Sequence, residues 1–593
     1  RLDKKGNLWT GTFGSGLKRM KIQKNDQRNT LTNMLDRSYA QLGNFIASIH
    51  EDSRNNLWIA AYDSGLSVFD KYSETFTKQL NDPIMTLYED KSGIVWIGTY
   101  TSGVKLYDPY CNRFNHYQDN DANDKGKNLI TSIVEASDGK LWVATYNSGL
   151  KVYSAINQNW KNPRKKISTF RFDPKNTKSI SSDKITVLSK AEDGNVWIGT
   201  ENDGLNFFDK KRNSFIRYLN NPNNLNSIGS NQITSLFYDN GKDLLWIGFL
   251  NGRIDCYNIL MNQFKHYRVK TNLNPSASVN SVTIIYRGRE EALWVGTFEG
   301  ELNRFNPDTD SFDLINFKAA NGSGTLKNGI YSFFEDNDGM LWIGTYGGGL
   351  WRFDITKDSI KTYSEVDGLS NNVVYGILPD KSGCLWLSTN KGISRFDPKN
   401  ETFKVYDARD GLQSNEFNQG AYFGSIKGEL FFGGVNGFNA FFPEEIEENN
   451  FIPPVYITSF KVFDEILPLS YALTSKSESI ELSYSQNFFS FEFTALNYTV
   501  PEKNKYAYML IGFDKEWHTA TASQRYASYT NLDPGNYVLR VIGSNNDGVW
   551  NEKGTSVIII INPPFWMTWW FRGIIIISIS VIVAATIRYF VRK

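Results

Sequence analysis

The chain has 593 residues, of which 15% are aromatic, with 47 glycines and a formal net charge of +1 at pH 7. This length has room for several domains, and the composition is typical of an all-β protein rich in turns. The near-zero charge gives no reason to expect contact with nucleic acid. Three isolated cysteines without a CxxC pair, Cys111, Cys256 and Cys384, indicate neither a disulfide framework nor a zinc site.

The first feature along the chain is a repeat, which "RLDKKGNLWTGT" enters at residues 1–12. Its tryptophan recurs at intervals of about 40 to 55 residues, the length of one four-stranded propeller blade. The copies are marked by Trp9, Trp58, Trp96, Trp142, Trp197, Trp246, Trp294, Trp342, Trp386 and, in the tenth copy, Phe431. Because the first copy starts within a blade, we expect the chain to be a fragment of a longer protein.

Each copy divides into four short β-runs separated by turn residues. In "NLITSIVEASDGKLWVATYNSGLKVY", residues 128–153, the run "ITSIVEA" alternates apolar and polar residues, and "DG" and "YNSG" mark two turns. A fourth strand is expected downstream in segments such as "FIRY", 215–218, and "FKVY", 403–406. The recurring tryptophan is expected to be a wedge packed between blades rather than a ligand contact.

The copies are predicted to form one complete propeller and part of another. The copies resemble regulator-propeller repeats, a family in which seven-bladed rings are usual. This resemblance implies that the seven copies counted back from Phe431 form a seven-bladed propeller at residues 112–448, preceded by three blades of a truncated propeller at 1–111. The Phe431 copy has no fourth strand before Pro443, so "NRFNHY", 112–117, is predicted to supply it and close the ring. A single ring of ten blades is the alternative.

Variable residues follow the second strand of each blade and are expected to mark the ligand-binding face. Aromatic rings beside amide and carboxylate groups suit a sugar, which offers an apolar face to stack on and hydroxyls to hydrogen-bond. The alternative is that each is an ordinary loop residue. The candidate site residues are Tyr146, Glu201, Phe298, Tyr346, Asn390 and Asn436, and Leu250 holds the same place in its blade.

Two further domains are expected after the repeats. Residues 449–563 alternate as the strands of an Ig- or fibronectin-like β-sandwich rich in tyrosine. The run Trp566–Ile587 carries one charge and is long enough to cross a bilayer, so a transmembrane helix is predicted within 564–588. Arg588, Arg592 and Lys593 follow it, which places residues 589–593 in the cytoplasm and the bulk of the chain outside it.

These features together resemble the sensor region of a Bacteroidetes-type hybrid two-component system. The "DGxLWIGTxxGGLxxFD" blades resemble regulator-propeller repeats, and residues 506–551 resemble the tyrosine-rich sandwich that follows them in that family. The resemblance implies a periplasmic, oligosaccharide-detecting module in the inner membrane. It also implies a homodimer, and a histidine kinase, phosphorelay and transcriptional output that lie outside this chain.

Two other functional classes share parts of this pattern. Propellers host hydrolases and lyases, but the four histidines form no metal-spaced cluster and no GxSxG motif is present. We therefore expect no catalytic residue, metal or cofactor in this chain. A membrane-anchored scaffold or adhesion protein without kinase output would share the propeller and the helix.

Overall fold

A computed structural model describes residues 1–593 except 26–29, 71–73, 112, 120–127, 156–163, 273–279, 316–317, 320–327, 464, 468–478 and 593. The described chain is all-β apart from short 3-10 turns and one C-terminal helix. It divides into two compact units, one of residues 112–447 and the other of residues 1–111 with 448–593.

The N-terminal residues form three consecutive antiparallel sheets, each built from the repeat. The innermost strands of neighbouring sheets contact each other, as in adjacent blades of a propeller. The strands are β1 (Asn7–Gly11), β2 (Leu17–Asn25) and β3 (Thr30–Tyr39); β4 (Ile46–Glu51), β5 (Leu57–Ala61), β6 (Gly65–Asp70) and β7 (Thr75–Leu80); and β8 (Ile84–Glu89), β9 (Val95–Thr99) and β10 (Val104–Tyr107).

The unit of residues 112–447 is a ring of seven blades. The first blade contains β12 (Ile130–Glu135), β13 (Leu141–Thr145), β14 (Leu150–Tyr153) and β15 (Lys166–Phe170), and the second contains β16 (Ile185–Lys190), β17 (Val196–Thr200), β18 (Leu205–Asp209) and β19 (Ser214–Tyr218). The third contains β20 (Ile233–Asp239), β21 (Leu244–Phe249), β22 (Arg253–Asn258) and β23 (Gln263–Arg268), and the fourth contains β24 (Val282–Arg287), β25 (Leu293–Thr297), β26 (Leu302–Asn306) and β27 (Ser311–Ile315). The fifth contains β29 (Ile330–Glu335), β30 (Met340–Thr345), β31 (Leu350–Asp354) and β32 (Ser359–Tyr363), with the short β28 (Lys318–Ala319) beside β32, and the sixth contains β33 (Val374–Pro379), β34 (Leu385–Thr389), β35 (Gly392–Asp397) and β36 (Thr402–Tyr406).

The seventh blade closes the ring with a strand from the other end of the unit. It contains β37 (Phe417–Gly424), β38 (Leu430–Gly434) and β39 (Gly437–Phe441), and its outer strand is β11 (Asn115–Tyr117). The pairing of β11 with β39 confirms the predicted closing strand, and the Tyr117 ring stacks on Phe438 with centroids 4.7 Å apart. The first strand of every blade contacts that of the next, and β37 contacts β12, so the ring closes on seven blades rather than ten.

Eight of the nine repeated tryptophans are buried wedges between blades, as predicted, whereas Trp96 is only partly buried. Trp142 packs on Phe208 of the next blade with ring centroids 4.8 Å apart, and Trp386 packs on Phe441 at 4.9 Å. Each indole thereby fills the space between two sheets that neither sheet covers alone. The tryptophans therefore hold the ring together and do not reach a ligand.

The last part of the chain is a β-sandwich followed by a helix. One sheet contains β40 (Val455–Val462), β41 (Glu465–Leu467), β43 (Phe488–Ala495) and β46 (Tyr526–Thr530), and the other contains β42 (Ser479–Ser483), β44 (Lys505–Ile511), β45 (His518–Thr521), β47 (Gly535–Ser544) and β48 (Trp550–Asn562). Their inner faces share one apolar core that includes Phe491, Tyr506 and Leu539.

The helix, α1, spans Trp569–Arg592 and is long and apolar enough to cross a membrane by length and composition. The predicted transmembrane segment starts at residue 564, five residues before the first residue of the helix. Pro563 and Pro564 remove backbone donors, and Phe565–Met567 form a 3-10 turn before the α-helix begins. At the other end, α1 continues through Arg592, past the predicted limit at residue 588.

Candidate functional site

The predicted site residues lie where the second strand of each blade ends, beside the start of that blade's innermost strand. The backbone N–H of Tyr146 donates to the carbonyl of Leu129 at 3.1 Å, and that of Tyr346 donates to Gly329 at 2.8 Å. Phe298 makes the same bond to Ser281 at 2.9 Å. This repeated bond brings the residues to one face of the ring, around its axis.

A channel of about 1650 Å³ runs along that axis, lined mainly by the first strands of the blades. Of the predicted residues, Tyr146 and Phe298 line the channel, as does Leu250, whereas Glu201, Tyr346, Asn390 and Asn436 are not among its lining residues. Phe298 and Tyr346 are each about half exposed, at 49% and 50%. The predicted face is therefore the mouth of a preformed cavity, and concave sites of this kind are where small ligands are expected to bind.

Side chains from a bulge in each first strand tie neighbouring blades together. The bulge falls after the first residue of the strand in all of the first six blades. In the first four blades the bulged residue is a threonine whose hydroxyl donates to the backbone carbonyl of the next blade. These residues are Thr131, Thr186, Thr234 and Thr283.

The fifth and sixth blades break this pattern and create an aromatic sector. Their bulged residues are Tyr331 and Tyr375, whose rings stack with centroids 5.7 Å apart and an interplanar angle of 15°. The exposed ring of Tyr346 meets Tyr331 edge-on at 5.6 Å. Burial raises the pKa of Tyr331 to about 12 and raises that of Tyr375, so both hydroxyls are neutral donors at physiological pH.

Asn390 adds an amide to this sector. Its side chain lowers the pKa of Tyr375 and so partly offsets the effect of burial on that hydroxyl. The Asn390 Oδ1 is buried and has no hydrogen-bond partner among the residues that the structure describes. A buried acceptor without a partner costs about 1–3 kcal/mol, which a ligand hydroxyl could recover.

Tyr146 and Glu201 form a second, polar sector on neighbouring blades. The Tyr146 hydroxyl donates to Glu201 Oε1 at 2.6 Å, and Lys184 Nζ lies 2.9 Å from Glu201 Oε2 and 5.5 Å from the Tyr146 ring centroid. The hydrogen bond to Glu201 raises the pKa of Tyr146, and the same bond lowers the pKa of Glu201. This sector therefore presents the Glu201 carboxylate, whose negative charge is balanced by Lys184.

Asn436 lies apart from both sectors and takes part in ring closure. Its Nδ2 donates to the Gln413 carbonyl at 3.1 Å, and its Oδ1 accepts from Gln118 Nε2 at 2.6 Å. Its own carbonyl lies 2.8 Å from His116 Nε2. These bonds attach the closing strand to the seventh blade, so a ligand would have to displace one of them to reach the Asn436 amide.

The seventh blade also places a side chain across the channel. Four residues, 418–421, stand opposite Gly433 alone, whereas the other bulges contain one extra residue. Asn418 Nδ2 donates to the Ile130 carbonyl at 2.8 Å and so replaces the threonine contacts. Gln419 Nε2 lies 3.5 Å from the Thr283 carbonyl of the fourth blade. In a ring of seven blades, no blade is farther around the ring from the seventh than the fourth. Gln419 therefore lines the channel and reaches across it.

Sequence reasoning missed Tyr331, Tyr375 and Gln419. The first two hold the position of the threonine in "ITS", "ITV" and "VTI", so alignment of the first strands would have revealed both as exceptions. The three extra residues in the first strand of the seventh blade gave no such signal in the sequence. Among the described residues, no group of three or more His, Cys, Asp or Glu side chains is placed to hold a metal ion.

The repeats and the sandwich each match a known family. The Two component regulator propeller family matches residues 78–101, 125–147, 179–202, 326–347 and 368–391, and the Y_Y_Y domain matches residues 497–562. The chain therefore carries regulator-propeller repeats followed by a Y_Y_Y domain, as the resemblance implied.

Two relatives extend this comparison. The extracellular domain of the hybrid two component system BT3049 from B. thetaiotaomicron has a TM-score of 0.71 and 25% identity, over 95% of this chain and 72% of that one. Histidine kinase P4 from Formosa agariphila is 32% identical over 243 residues. That match covers 39% of this chain and 18% of the kinase, so this chain spans a small part of its relative's length.

Proposed function

We propose that this chain is the extracytoplasmic sensor region of a membrane-bound hybrid two-component histidine kinase. Its propeller repeats, Y_Y_Y domain and apolar helix follow one another in that order. The similar structure is an extracellular domain of a hybrid two component system, and the similar sequence is a histidine kinase. In this proposal the kinase chemistry belongs to cytoplasmic domains, and residues 1–593 bind ligand and pass the signal on.

We further propose that the ligand is an oligosaccharide bound at the channel mouth. The observation that carries this proposal is the sector of Tyr331, Tyr346, Tyr375 and Asn390. A half-exposed ring gives a stacking surface for the apolar face of a sugar, and the buried Asn390 Oδ1 gives an acceptor for one of its hydroxyls. The Tyr146 and Glu201 sector would contact a second unit of the same ligand.

The remaining elements of the proposal concern location and signal transfer. The helix α1 anchors the protein in the inner membrane with the propellers in the periplasm, and two chains form a homodimer that controls transcription of glycan-use genes. The proposed domains are the truncated propeller at residues 1–111, the seven-bladed propeller at 112–448 and the β-sandwich at 449–563, followed by α1. Ligand changes the equilibrium between two signalling states only through a difference in affinity for them.

Calorimetric titration of the soluble ectodomain against defined plant, host and fungal oligosaccharides tests the proposal. Binding of one structural class with micromolar affinity, lost when Tyr346 is replaced by alanine, would support it. A folded ectodomain that binds none of the panel would contradict the oligosaccharide proposal and favour a protein ligand. A full-length protein whose cytoplasmic part contains no kinase would contradict the signalling proposal and favour a scaffold.

A further inference from the structure

The end of the sandwich next to α1 carries exposed apolar side chains on four separate turns and strand ends. Phe463 is 49% exposed, Tyr484 42%, Ile511 44% and Phe513 52%. Single exposed apolar residues are common on soluble proteins and need no explanation. These four differ because the strand topology brings all of them to the same end.

Strand pairing shows that they share this end. Strand β42 runs parallel to β48, so Tyr484 follows the pair Ser483 and Asn562. In the same sheet, Ile511 at the end of β44 pairs with Val538, three residues from the start of β47, and Gly535 at that start pairs with Ile561.

The other sheet ends at the same level. Four residues, 531–534, join the end of β46 to the start of β47, and Thr530 pairs with Phe488. The Phe463 N–H donates to the carbonyl of Phe488, and the Phe513 ring contacts Tyr529 at 5.9 Å. All four exposed side chains therefore lie at the end of the sandwich where β48 leads to α1.

This end is held close to the start of the helix. Six residues separate Asn562 from Trp569, which limits the distance to about 25 Å for a fully extended chain. Three of the six form a 3-10 turn, which shortens the connection. The Tyr484 ring also meets Trp566 edge-on, with centroids 5.0 Å apart, so the sandwich touches the entry segment of the helix directly.

From this arrangement we infer that the membrane-proximal end of the sandwich docks on the bilayer through Phe463, Tyr484, Ile511 and Phe513. Aromatic side chains favour the boundary between headgroups and acyl chains, and they would be continuous there with Phe565, Trp566 and Trp569 at the start of α1. The occupant of this surface is lipid. The inference goes beyond the proposed function and requires only that α1 crosses the membrane.

Ring insertion, rather than charge attraction, drives this docking. Glu465, Lys515 and Asp533 are all exposed at this end, so its charge is mixed and gives no preference for anionic headgroups. We therefore expect the same docking in bilayers of pure phosphatidylcholine and at raised salt. Docking would fix the tilt of the sandwich, so that a signal reaches α1 as rotation or displacement within the membrane plane.

Spin labels on the full chain in phosphatidylcholine nanodiscs test the inference. Single cysteines replace Phe463 or Phe513 after the three free cysteines, Cys111, Cys256 and Cys384, have been replaced. Ile576→Cys in α1 serves as the bilayer control, and Glu502→Cys serves as the aqueous control. Glu502 lies just before the start of β44, about 20 Å along the strand from Ile511.

The readout is the ratio of collision rates with oxygen, which partitions into lipid, and with a water-soluble nickel chelate. We expect this ratio at positions 463 and 513 to exceed that at 502 several-fold and to approach that at 576. A ratio equal to that at 502 overturns the inference, because the surface would then face water. Low collision rates with both reagents also overturn it, because they would indicate a second protein surface.

The unaltered chain provides an independent measurement if the cysteine variants do not fold. A phosphatidylcholine with a diazirine near its glycerol is incorporated into the nanodiscs and activated by light. Mass spectrometry then locates the crosslinks. We expect crosslinks in residues 505–515 and 460–463 as well as in α1, and crosslinks confined to α1 and its entry segment overturn the inference.

Discussion

Trp342 donates its indole N–H to the carboxylate of Asp336 at 2.7 Å, and that carboxylate also accepts the backbone N–H groups of Asp338 and Met340 at 3.0 Å each. One aspartate therefore fixes both the turn and the wedge between blades. The same bond, six residues apart, joins Trp9 to Asp3, Trp58 to Asp52, Trp96 to Asp90 and Trp386 to Asp380.

Four other copies lack this bond. The indole nitrogens of Trp142, Trp197, Trp246 and Trp294 are buried without a partner among the described residues. The residues six positions before them are Ala136, Ala191, Asn240 and Gly288. Where the aspartate is present, it therefore has two roles, as the cap of the turn and as the partner of the tryptophan.

We predict that Asp336→Ala lowers the free energy of unfolding by about 1–3 kcal/mol, because it leaves a buried indole N–H unpaired and removes two turn bonds. The measurement is the shift of the urea unfolding midpoint of the soluble ectodomain. Asp338→Ala in the same turn is the control, and its effect should stay within about 0.5 kcal/mol because the side chain is exposed. Equal effects of the two changes would contradict the role of the indole bond.

We predict that Arg164→Ala weakens the closed ring by about 3–5 kcal/mol, because it strands two carboxylates that it now pairs. Its guanidinium lies 2.9 Å from Glu135 Oε1 in the first blade and 2.8 Å from Glu429 Oε2 in the seventh, and the arginine is buried. Burial lowers the pKa of Arg164, but the bonds to both carboxylates outweigh it and raise that pKa overall.

Thermal unfolding of the soluble chain checks this prediction. The triple change Arg164→Met, Glu135→Gln and Glu429→Gln should recover most of the loss, since no buried charge then remains unpaired. Arg171→Ala is the matched control, because Arg171 is exposed and lies 3.9 Å from Asp183. A single change at Arg164 that costs no more than Arg171→Ala would contradict the prediction.

We predict that His266 makes the stability of the propeller depend on pH. His266 Nδ1 lies 2.7 Å from the buried Asp255 and Nε2 lies 2.9 Å from the Leu225 carbonyl. Burial lowers the pKa of His266, but the bonds to Asp255 and to the carbonyl raise it above its ordinary value overall. A raised pKa in the folded state means that this stabilisation is complete below about pH 6.5 and is lost as pH rises through the folded value.

Unfolding midpoints measured from pH 5.5 to 8.5 check this dependence. Asp255→Asn should remove the His266 contribution to the pH dependence, because the charged partner is lost. The asparagine can still accept a backbone N–H from the segment that connects two blades, as Asn206 and Asn303 do elsewhere in the ring. An unchanged pH profile in Asp255→Asn would contradict the assignment.

We predict that Tyr346→Ala and Asn390→Ala each weaken oligosaccharide binding about tenfold or more, which corresponds to about 1.4 kcal/mol. The first removes the exposed stacking surface and the second removes the unpaired acceptor. Tyr346→Phe should bind nearly as well as the unaltered chain if stacking is what counts. Calorimetric titration gives the affinities.

Tyr456→Ala is the control for this pair, because Tyr456 is 52% exposed and lies in the sandwich rather than in the propeller. It should leave the affinity unchanged. Binding that survives both site changes would place the ligand elsewhere, for instance at the Tyr146 and Glu201 sector. Loss of binding with Tyr456→Ala would indicate a general effect on folding.

The individual blades and the helix could be predicted from the sequence, because they arise from local, repeated patterns. A fixed period, an aromatic wedge and paired turn signals specify each blade from its own residues, and a missing fourth strand in the last copy required a strand such as β11 to close the ring. The apolar run before Arg588 likewise predicted α1, apart from the turn that the two prolines impose.

The pairs of residues that meet across the ring could not be predicted from the sequence. Gln419 faces Thr283, Arg164 joins Glu429, and Tyr331 stacks on Tyr375, and none of these pairings follows from the order of the residues along one blade. Such contacts depend on ring closure, which brings the first strands of all seven blades around one axis. The repeat pattern shows which positions of each blade reach the candidate site, but it does not show which side chains from different blades meet there.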